Sequence, residues 1–336
     1  MGAMIRSGDQ PWVRIEDDSA IGAARRAATT MAEACGFGEH DRGRVAVAVS
    51  EAASNLVKHA VEGMMLIRAH PESATAVEVI ALDKGPGIRD VRSAVRDGYS
   101  TAGTLGVGLG GITRMASAHE VYSLPGRGTV VTMCFTAAGA PAPVSRVSGL
   151  TRPIGEEIVS GDAFAYVEGG DTAIGLLCDG LGHGPAAAAA SREAVRVFEH
   201  QHDLPVLELL ERVHKALTGT RGGAVAIARL DRARGTVRYA GLGNVSGWIV
   251  HAEGRQGMIS VPGIAGHQRS RLREYEYTVP PHSVLVMHSD GLSDRWDPVS
   301  FPGLAARSPA VVAATLLRDA GTRRDDAAVL AVGTAP

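Results

Sequence analysis

The sequence SEAASNLVKHA, at residues 50–60, combines apolar residues at helical spacing with polar residues on another face, and it determines the fold predicted for the first half of the chain. It belongs to a longer pattern, at about residues 41–60, in which four apolar residues recur at spacings of four, three and four: Val45, Val49, Ala52 and Leu56. Such spacing predicts an amphipathic helix whose apolar stripe faces a core. Glu51 and Asn55 lie four residues apart on a different face of this helix. The sequence therefore predicts a packed helix with two polar side chains that are free to face a ligand.

Glycine-rich segments follow this helix at the ends of predicted strands. Asp83 ends an alternating apolar strand and begins the segment DKGPG, which contains Gly85 and Gly87. The segment GTLGVGLGG at residues 103–111 opens a helical pattern, and GRGT at residues 126–129 precedes the last strand of this half. Backbone amides at the beginning of a helix can bind phosphate. One glycine cluster indicates only a turn, but several clusters in this order indicate a nucleotide site.

In order and spacing these motifs resemble the GHKL ATP-binding fold of histidine kinases and of bacterial anti-sigma-factor serine kinases. Within that superfamily, SEAASNLVKHA and the segment DGYST at residues 97–101 are most similar to the RsbT-like switch kinases. The resemblance covers about residues 10–136 and implies a two-layer α/β sandwich, the Bergerat fold. It implies that Asn55 holds Mg²⁺, that Asp83 accepts a hydrogen bond from adenine, and that Glu51 is the general base for a substrate hydroxyl. The ATP-binding residues that it implies are Asn55, Asp83, Gly85, Gly87, Gly103, Gly106, Gly108, Gly110 and Thr129.

A segment of small residues and proline, AAGAPAPVS at residues 137–145, interrupts the regular patterns. Such a composition supports neither a helix nor a central strand. We expect a GHKL domain at residues 1–137, a linker at residues 138–148 and a second domain at residues 149–336. The second domain has many short apolar strand patterns and few helical ones, which is typical of packed sheets covered by helices.

Aspartates in the second half stand at the ends of predicted strands or beside glycine: Asp162, Asp179, Asp290, Asp325 and Asp326. One Asp-Gly pair usually marks only a turn. Carboxylates gathered from separate strands are, however, the oxygen ligands that Mg²⁺ and Mn²⁺ prefer. The set therefore predicts a site for hard divalent cations.

The order of these aspartates resembles the metal-dependent type 2C serine/threonine phosphatases of the SpoIIE-like branch. The segment DGLGHG at residues 179–184 is most similar to the RsbX-like phosphatases. The resemblance covers about residues 150–334 and implies an α-β-β-α sandwich, so that the whole chain is of the mixed α/β (α+β) class. It also implies two bound Mn²⁺ or Mg²⁺ ions, which convert a bridging water into a hydroxide that attacks phosphorus.

By the same resemblance each ligand of the two ions has a position in this sequence. Asp179, the catalytic residue, would bridge both ions, with the Gly180 carbonyl as a further ligand, and Asp162 would act directly or through water. The second metal site would be completed by Asp290 and by one residue of the pair Asp325 and Asp326, whose register is ambiguous. His183 is either an acid that protonates the leaving oxygen or a loop residue without that task, and Cys178 is interpreted as a buried strand residue.

Composition excludes several classes of function. The chain has 336 residues and a formal net charge of −2, so it lacks the broad positive charge that binds nucleic acid or an anionic membrane surface. Its apolar segments are shorter than the roughly 20 residues that cross a bilayer. Cys35, Cys134 and Cys178 are isolated, which fits the reducing cytoplasm. A homo-oligomer stays possible.

The two halves together predict opposing reactions on one protein. We expect a bifunctional switch that phosphorylates and dephosphorylates a serine or threonine of a STAS-domain partner, a stressosome component or an anti-anti-sigma factor, in bacterial stress or sigma-factor regulation. In one alternative, the first half only senses ATP and docks the phosphatase on a partner. In another, the chain is an anti-sigma factor that sequesters a sigma subunit.

Overall fold

The computed structural model describes residues 4–8, 10–96, 108–137, 140–155, 157–322 and 324–335. Gly103, Gly106 and the segment at residues 97–101 lie outside this part of the chain. The chain divides into two compact units, one formed by Gln10–Val144 and the other by Met1–Asp9 together with Ser145–Pro336. No helix within the described ranges is both long enough and apolar enough to span a bilayer.

Strand β1 (Met4–Arg6) belongs to the second unit, and the first unit follows it along the chain. In its described residues the first unit contains five strands in one antiparallel sheet, in the order β2-β3-β4-β6-β5, and four helices. In chain order these elements are β2 (Trp12–Arg14), α1 (Asp18–Ala34), α2 (Glu39–His59), β3 (Met64–His70), β4 (Ser73–Leu82), α3 (Val91–Val95), α4 (Gly108–Met115), β5 (Ala118–Leu124) and β6 (Gly128–Thr136).

Helices α1 and α2 form the layer that covers one face of this sheet. The Asp17 carboxylate caps α1 by accepting from the backbone N–H groups of Ser19 and Ala20, as expected for an N-cap. Gly36, with φ of 78°, follows the end of α1. The stripe predicted for α2 packs in one apolar core with strands β3, β4 and β6, so the predicted two-layer arrangement is confirmed.

The second unit contains two packed sheets. Its elements after β1 are β7 (Val147–Arg152), β8 (Asp162–Gly169), β9 (Thr172–Gly180), α5 (Pro185–Gln201), α6 (Val206–Ala216), β10 (Gly223–Asp231), β11 (Thr236–Leu242), β12 (Ser246–His251), β13 (Gly254–Met258), β14 (Ser260–Val261), β15 (Tyr275–Thr278), β16 (Val284–His288), α7 (Pro309–Asp319) and β17 (Ala327–Gly333). Seven strands form one sheet in the order β1-β8-β9-β10-β11-β14, with β15 beside β11. Five strands form the other, in the order β13-β12-β16-β17-β7.

Apolar residues fill the space between the two sheets. A second cluster lies between α5, α6 and the seven-stranded sheet, and α7 packs on β17 and β7 of the other sheet. The order of layers is therefore helix, sheet, sheet, helix, and the predicted α-β-β-α sandwich is confirmed.

The first strand departs from the expectation that residues 1–137 form one domain. Met4, Ile5 and Arg6 pair with residues 165–167 of β8, and the Ser7 N–H donates to the Phe164 carbonyl at 2.8 Å. Ile5 is buried between the two sheets of the second unit. A strand of three residues carries too little periodicity to be recognised in the sequence, so only this long-range pairing reveals it.

Candidate functional site

A cavity of about 490 Å³ lies in the first unit between α2, the segment after β4 and the beginning of α4. Its volume is in the range of small-molecule and cofactor sites. Six residues that the sequence predicted as ATP ligands or catalytic base line it: Glu51, Asn55, Asp83, Gly87, Gly108 and Thr129. The cavity therefore brings together residues from α2, from β4 and the segment after it, from β6 and from α4.

Asp83 is held rigidly at the end of β4. Its Oδ1 accepts from the Gly85 N–H at 2.6 Å, and its own N–H donates to the Thr129 carbonyl at 3.0 Å. The Thr129 hydroxyl in turn lies 2.9 Å from the hydroxyl of Ser123 on β5. Asp83 is buried, so the local hydrogen bonds fix a carboxylate at the wall of the cavity.

Two glycines allow the backbone to approach closely beside Asp83. Gly128 has φ of 94° and Gly87 has φ of 68°, which L side chains rarely adopt. A Cβ at Gly128 would overlap the Asp83 carbonyl oxygen, and one at Gly87 would overlap the Leu124 carbonyl oxygen. Glycine is therefore required here for both conformation and space.

Glu51 and Asn55 project from α2 into the cavity and are half-buried. Within the described ranges, neither side chain makes a hydrogen bond or an ion pair. Lys58 and His59 also line the cavity. Their spacing of three and four residues after Asn55 was a usable signal, because such residues share its helix face.

The carboxylates of the second unit converge at one end of the sandwich. Asp162 begins β8 and stands directly opposite Asp179, near the end of β9. Asp290 comes two residues after β16, while Asp325 and Asp326 directly precede β17. Because β16 and β17 are neighbours in the opposite sheet, both sheets contribute to this cluster.

The electrostatics of the cluster show that negative charges are crowded together. Burial, followed by the charges of Asp290 and Asp325, raises the pKa of Asp179 to about 7. Burial, followed by the charge of Asp179, raises the pKa of Asp162, and burial also raises the pKa of Asp290. Like charges at this spacing cannot all be ionised without a compensating positive charge.

The contacts within the cluster agree with the need for a compensating positive charge. The Asp179 and Asp290 carboxyl groups lie close enough for the charge of Asp290 to raise the pKa of Asp179. Among the described residues, Asp162 Oδ2 is buried without a hydrogen-bond partner. In the part of the chain that the structure describes, no three His, Cys, Asp or Glu side chains form a ready metal-binding group. The carboxylates nevertheless fit divalent cations. Such ions bind carboxylate oxygens, and their positive charge would compensate the crowded negative charges.

Asp325 and Asp326 have different surroundings. Asp326 is buried, and its two oxygens accept from the N–H groups of Ile154 and Gly161, each at 2.7 Å. Asp325 is half-buried, and its charge acts on Asp179 and Asp290. The Asp326 carboxylate therefore holds the backbone of the loop between β7 and β8 and adds its charge to Asp162, whereas the Asp325 carboxylate adds its charge to Asp179 and Asp290.

Sequence reasoning did not include Asn244 among the site residues. Its Nδ2 donates to Asp290 Oδ2 at 2.6 Å. The only signal was a Gly-Asn turn after a predicted strand, which does not specify a partner. Cys178 is fully buried, and burial raises the pKa of its thiol well above the usual range, which agrees with an inert strand residue.

Comparison with known families divides the chain in the same way. Residues 16–135 match the model of the histidine kinase-like ATPase domain. Residues 169–335 match the model of stage II sporulation protein E, SpoIIE.

Individual proteins add to this comparison. The serine/threonine-protein kinase RsbT of Bacillus subtilis (strain 168) is 38% identical over 124 residues, which are 37% of this chain and 93% of RsbT. A solved structure from work on the bacterial stressosome, as a modular system adapted to control secondary messenger signalling, is 28% identical with a TM-score of 0.51. The match covers 55% of this chain and 97% of that one. RsbX in complex with magnesium gives a TM-score of 0.48 at 18% identity, over 56% of this chain and 94% of RsbX.

Proposed function

The chain belongs to the histidine kinase-like ATPase family through residues 16–135 and carries a SpoIIE phosphatase domain at residues 169–335, and we propose that it is a bifunctional signalling switch. In this proposal the first unit transfers phosphate from ATP to a serine or threonine of a partner protein, and the second unit removes it. The observation that carries the proposal is the presence of a nucleotide-sized cavity and a carboxylate cluster in one chain.

The carboxylate cluster supports hydrolysis of a phosphate monoester. Asp179, the Gly180 carbonyl and Asp162 would hold two Mn²⁺ or Mg²⁺ ions. When bound, such ions lower the pKa of a bridging water and neutralise phosphoryl oxygens. Asn244 orients the Asp290 carboxylate through its 2.6 Å hydrogen bond, and Asp290 would hold the second ion.

For the last ligand we assign Asp325 rather than Asp326. Both oxygens of Asp326 already accept backbone hydrogen bonds. A carboxylate in that state has less capacity to bind an ion. Asp325 accepts with one oxygen, from the Asp326 N–H at 2.9 Å, and its negative charge acts on Asp290. Asp326 would act as a positioning residue for the neighbouring loop.

The cavity of the first unit supports phosphate transfer. Asn55 would hold Mg²⁺, Asp83 would accept from the adenine amino group, and Glu51 would accept the proton of the attacking hydroxyl. The half-buried position of Glu51 and its lack of a partner in the described ranges leave its carboxylate available for a substrate. Gly87, Gly108 and Thr129 line the cavity and would shape its walls. Gly85 would hold the Asp83 carboxylate through its N–H, and Gly103, Gly106 and Gly110 would belong to the phosphate lid.

We assign the partner to the STAS-domain class, as a stressosome component or an anti-anti-sigma factor in the cytoplasm. The identity to RsbT and the likeness to a stressosome structure support this assignment. A linker of about ten residues between the two units would raise the local concentration of one activity around a partner bound to the other. Because simultaneous action would only consume ATP, the two activities must be regulated in opposite directions.

The test uses the full chain and candidate STAS proteins encoded near it. Unmodified partner is incubated with Mg²⁺ and ATP, and phosphorylated partner is incubated with Mn²⁺ without ATP, while intact-mass spectrometry follows gain and loss of one phosphate. We expect gain in the first reaction and loss in the second. Absence of gain with retained ATP binding would overturn the kinase half and leave a docking module. Co-purification with a sigma subunit, without either reaction, would favour sequestration.

A further inference from the structure

Two exposed apolar side chains lie on the loops that flank the carboxylate cluster, and we propose that they form a docking surface for a phosphoserine segment with apolar neighbours. The two residues are Ile158, between β7 and β8, and Leu181, between β9 and α5. This inference rests on the proposed phosphatase function, and it adds which phosphorylated segments the second unit accepts.

Both loops start from the strand pair that carries the cluster. The Ile158 loop ends at Asp162, and the Leu181 loop begins after Asp179 and Gly180, which are residues of adjacent strands. Gly180 is also close to the other loop, because its N–H donates to the Gly161 carbonyl at 3.3 Å. These two loops therefore border the cluster.

The Ile158 loop is anchored on both sides of Ile158, whose side chain faces solvent. The Asp326 carboxylate holds both of its ends, at Ile154 and Gly161. Glu157 joins it to the other loop, since its Oε1 lies 2.6 Å from the Nδ1 of His183. The conformation that presents Ile158 is therefore set by polar contacts in which the Ile158 side chain takes no part.

Exposure of the two apolar side chains is unusual for such a fixed segment. Ile158 is 85% exposed and Leu181 is 48% exposed. Single exposed apolar residues are common on protein surfaces, but an apolar pair on ordered loops beside a cluster of polar groups has the composition of a binding surface. Burial of such side chains against apolar neighbours of a substrate stabilises the complex roughly in proportion to the area covered.

The polar side of the same surface suits a phosphate. Arg221 is exposed, and its Nη1 would lie 3.3 Å from a Cβ at Gly182, within the Leu181 loop. Its guanidinium makes no hydrogen bond or ion pair within the described ranges, and arginine binds phosphate oxygens through paired N–H groups. A phosphoserine flanked by apolar residues complements this combination of one free cation and two apolar side chains.

The experiment compares two synthetic peptides, one with phosphoserine between two leucines and one with phosphoserine between two glycines, on the full chain with Mn²⁺. We expect kcat/KM to be at least about tenfold higher for the leucine peptide. In the variants Ile158→Ser and Leu181→Ser, the ratio of kcat/KM for the leucine peptide to kcat/KM for the glycine peptide should fall at least about threefold. Val299→Ser is the matched control, because Val299 is 66% exposed on the same unit, in a 3-10 helix (Pro298–Ser300) that contacts β13. It should keep the preference of the parent chain.

Equal kcat/KM for the two peptides, or a preference that survives in Ile158→Ser and Leu181→Ser, would overturn the docking surface while the phosphatase function stands. Variants that keep the preference but change their elution volume in size-exclusion chromatography would assign the patch to a second copy of the chain. If the parent chain hydrolyses neither peptide, the phosphatase proposal fails. Fluorescence anisotropy of the labelled peptides in EDTA then decides the docking surface, since tighter binding of the leucine peptide must be lost in Ile158→Ser.

Discussion

Asp162 and Asp179 stand directly opposite each other in the antiparallel pairing of β8 with β9. Opposed residues on one face of such a pair have Cβ atoms about 4.5–5.5 Å apart, and like charges there are destabilising. The second unit thus places two carboxylates where its own sheet would be more stable with one charge or none. This relationship connects metal binding, pH and stability in a measurable way.

Without divalent cations, we expect the second unit to lose stability as pH rises. The folded-state pKa of Asp179 is raised from 3.8 to about 7, so the protonated form stabilises the fold fully below about pH 4 and this contribution is lost as pH rises through about 7. The Tm in EDTA should fall by at least about 4 °C between pH 5 and pH 8. Asp179→Asn should flatten this dependence, and a slope equal to that of the parent chain would contradict the argument.

Removal of the Glu51 carboxylate should separate catalysis from nucleotide binding. In Glu51→Gln we expect transfer of phosphate to the partner to fall by roughly 10²–10⁴, the usual contribution of a general base. ATP affinity, measured by calorimetry, should change less than about twofold. Glu39→Gln, at the exposed beginning of the same helix, is the control and should keep the activity. Undiminished transfer in Glu51→Gln would remove this residue from the mechanism.

Two neighbouring glycines test the close approach beside Asp83. Gly126 and Gly128 both have positive φ, of 76° and 94°, but a Cβ at Gly126 meets no atom within 4 Å. We expect Gly126→Ala to cost about 1–2 kcal/mol, the conformational penalty alone. Gly128→Ala must also displace the Asp83 backbone. It should therefore lower the Tm of the first unit, and it should weaken ATP binding by more than about tenfold. Similar behaviour of the two variants would contradict a steric requirement.

The adjacent aspartates should respond to substitution in opposite ways. Asp325→Asn should weaken Mn²⁺ binding by at least about tenfold in calorimetry and leave the Tm in EDTA unchanged or higher, because it removes a repelling charge. Asp326→Asn places an N–H₂ group against one of two backbone donors, so it should lower the Tm by an amount equivalent to about 1.5–3 kcal/mol. If Asp326→Asn instead weakened Mn²⁺ binding and Asp325→Asn lowered the Tm, Asp326 would be the metal ligand and Asp325 the positioning residue.

The first strand should contribute to the stability of the second unit. Ile5 is buried between its sheets, and Ile5→Ala should cost about 2–4 kcal/mol in the unfolding transition that Mn²⁺ shifts. Arg6→Ala removes only an exposed ion pair with Glu199 and should cost less than about 1 kcal/mol. Equal effects would mean that β1 does not pack as described.

Local patterns predicted much of the fold. The stripe of α2 has a helical period, and the strands at Asp162–Gly169 and Val284–His288 are short apolar runs next to glycine or aspartate, so each could be recognised without its neighbours. Strand β3, MMLIRAH, was not predicted. Its continuous apolar run lacks the alternation of a half-buried strand and is ambiguous between strand and helix.

In the candidate site, too, local sequence predicted some features and not others. The aspartates were found because each has a strand or a glycine beside it in the sequence. The hydrogen bond from Asn244 to Asp290 and the contact of Asp326 with Ile154 and Gly161 join residues that are 46 or more positions apart. Local sequence does not encode such partners, because they arise only when the two sheets pack.

Strand β1 also has a consequence for the order of events during synthesis. Its partner residues at 165–167 follow it by more than 150 positions, and the whole first unit lies between them. At about 5–20 residues per second, the ribosome needs on the order of ten seconds to complete that interval. The nucleotide unit can therefore fold while β1 is still unpaired, and the seven-stranded sheet closes last. Each newly made chain can thus complete its kinase-type unit before β1 pairs in the sheet of its phosphatase-type unit.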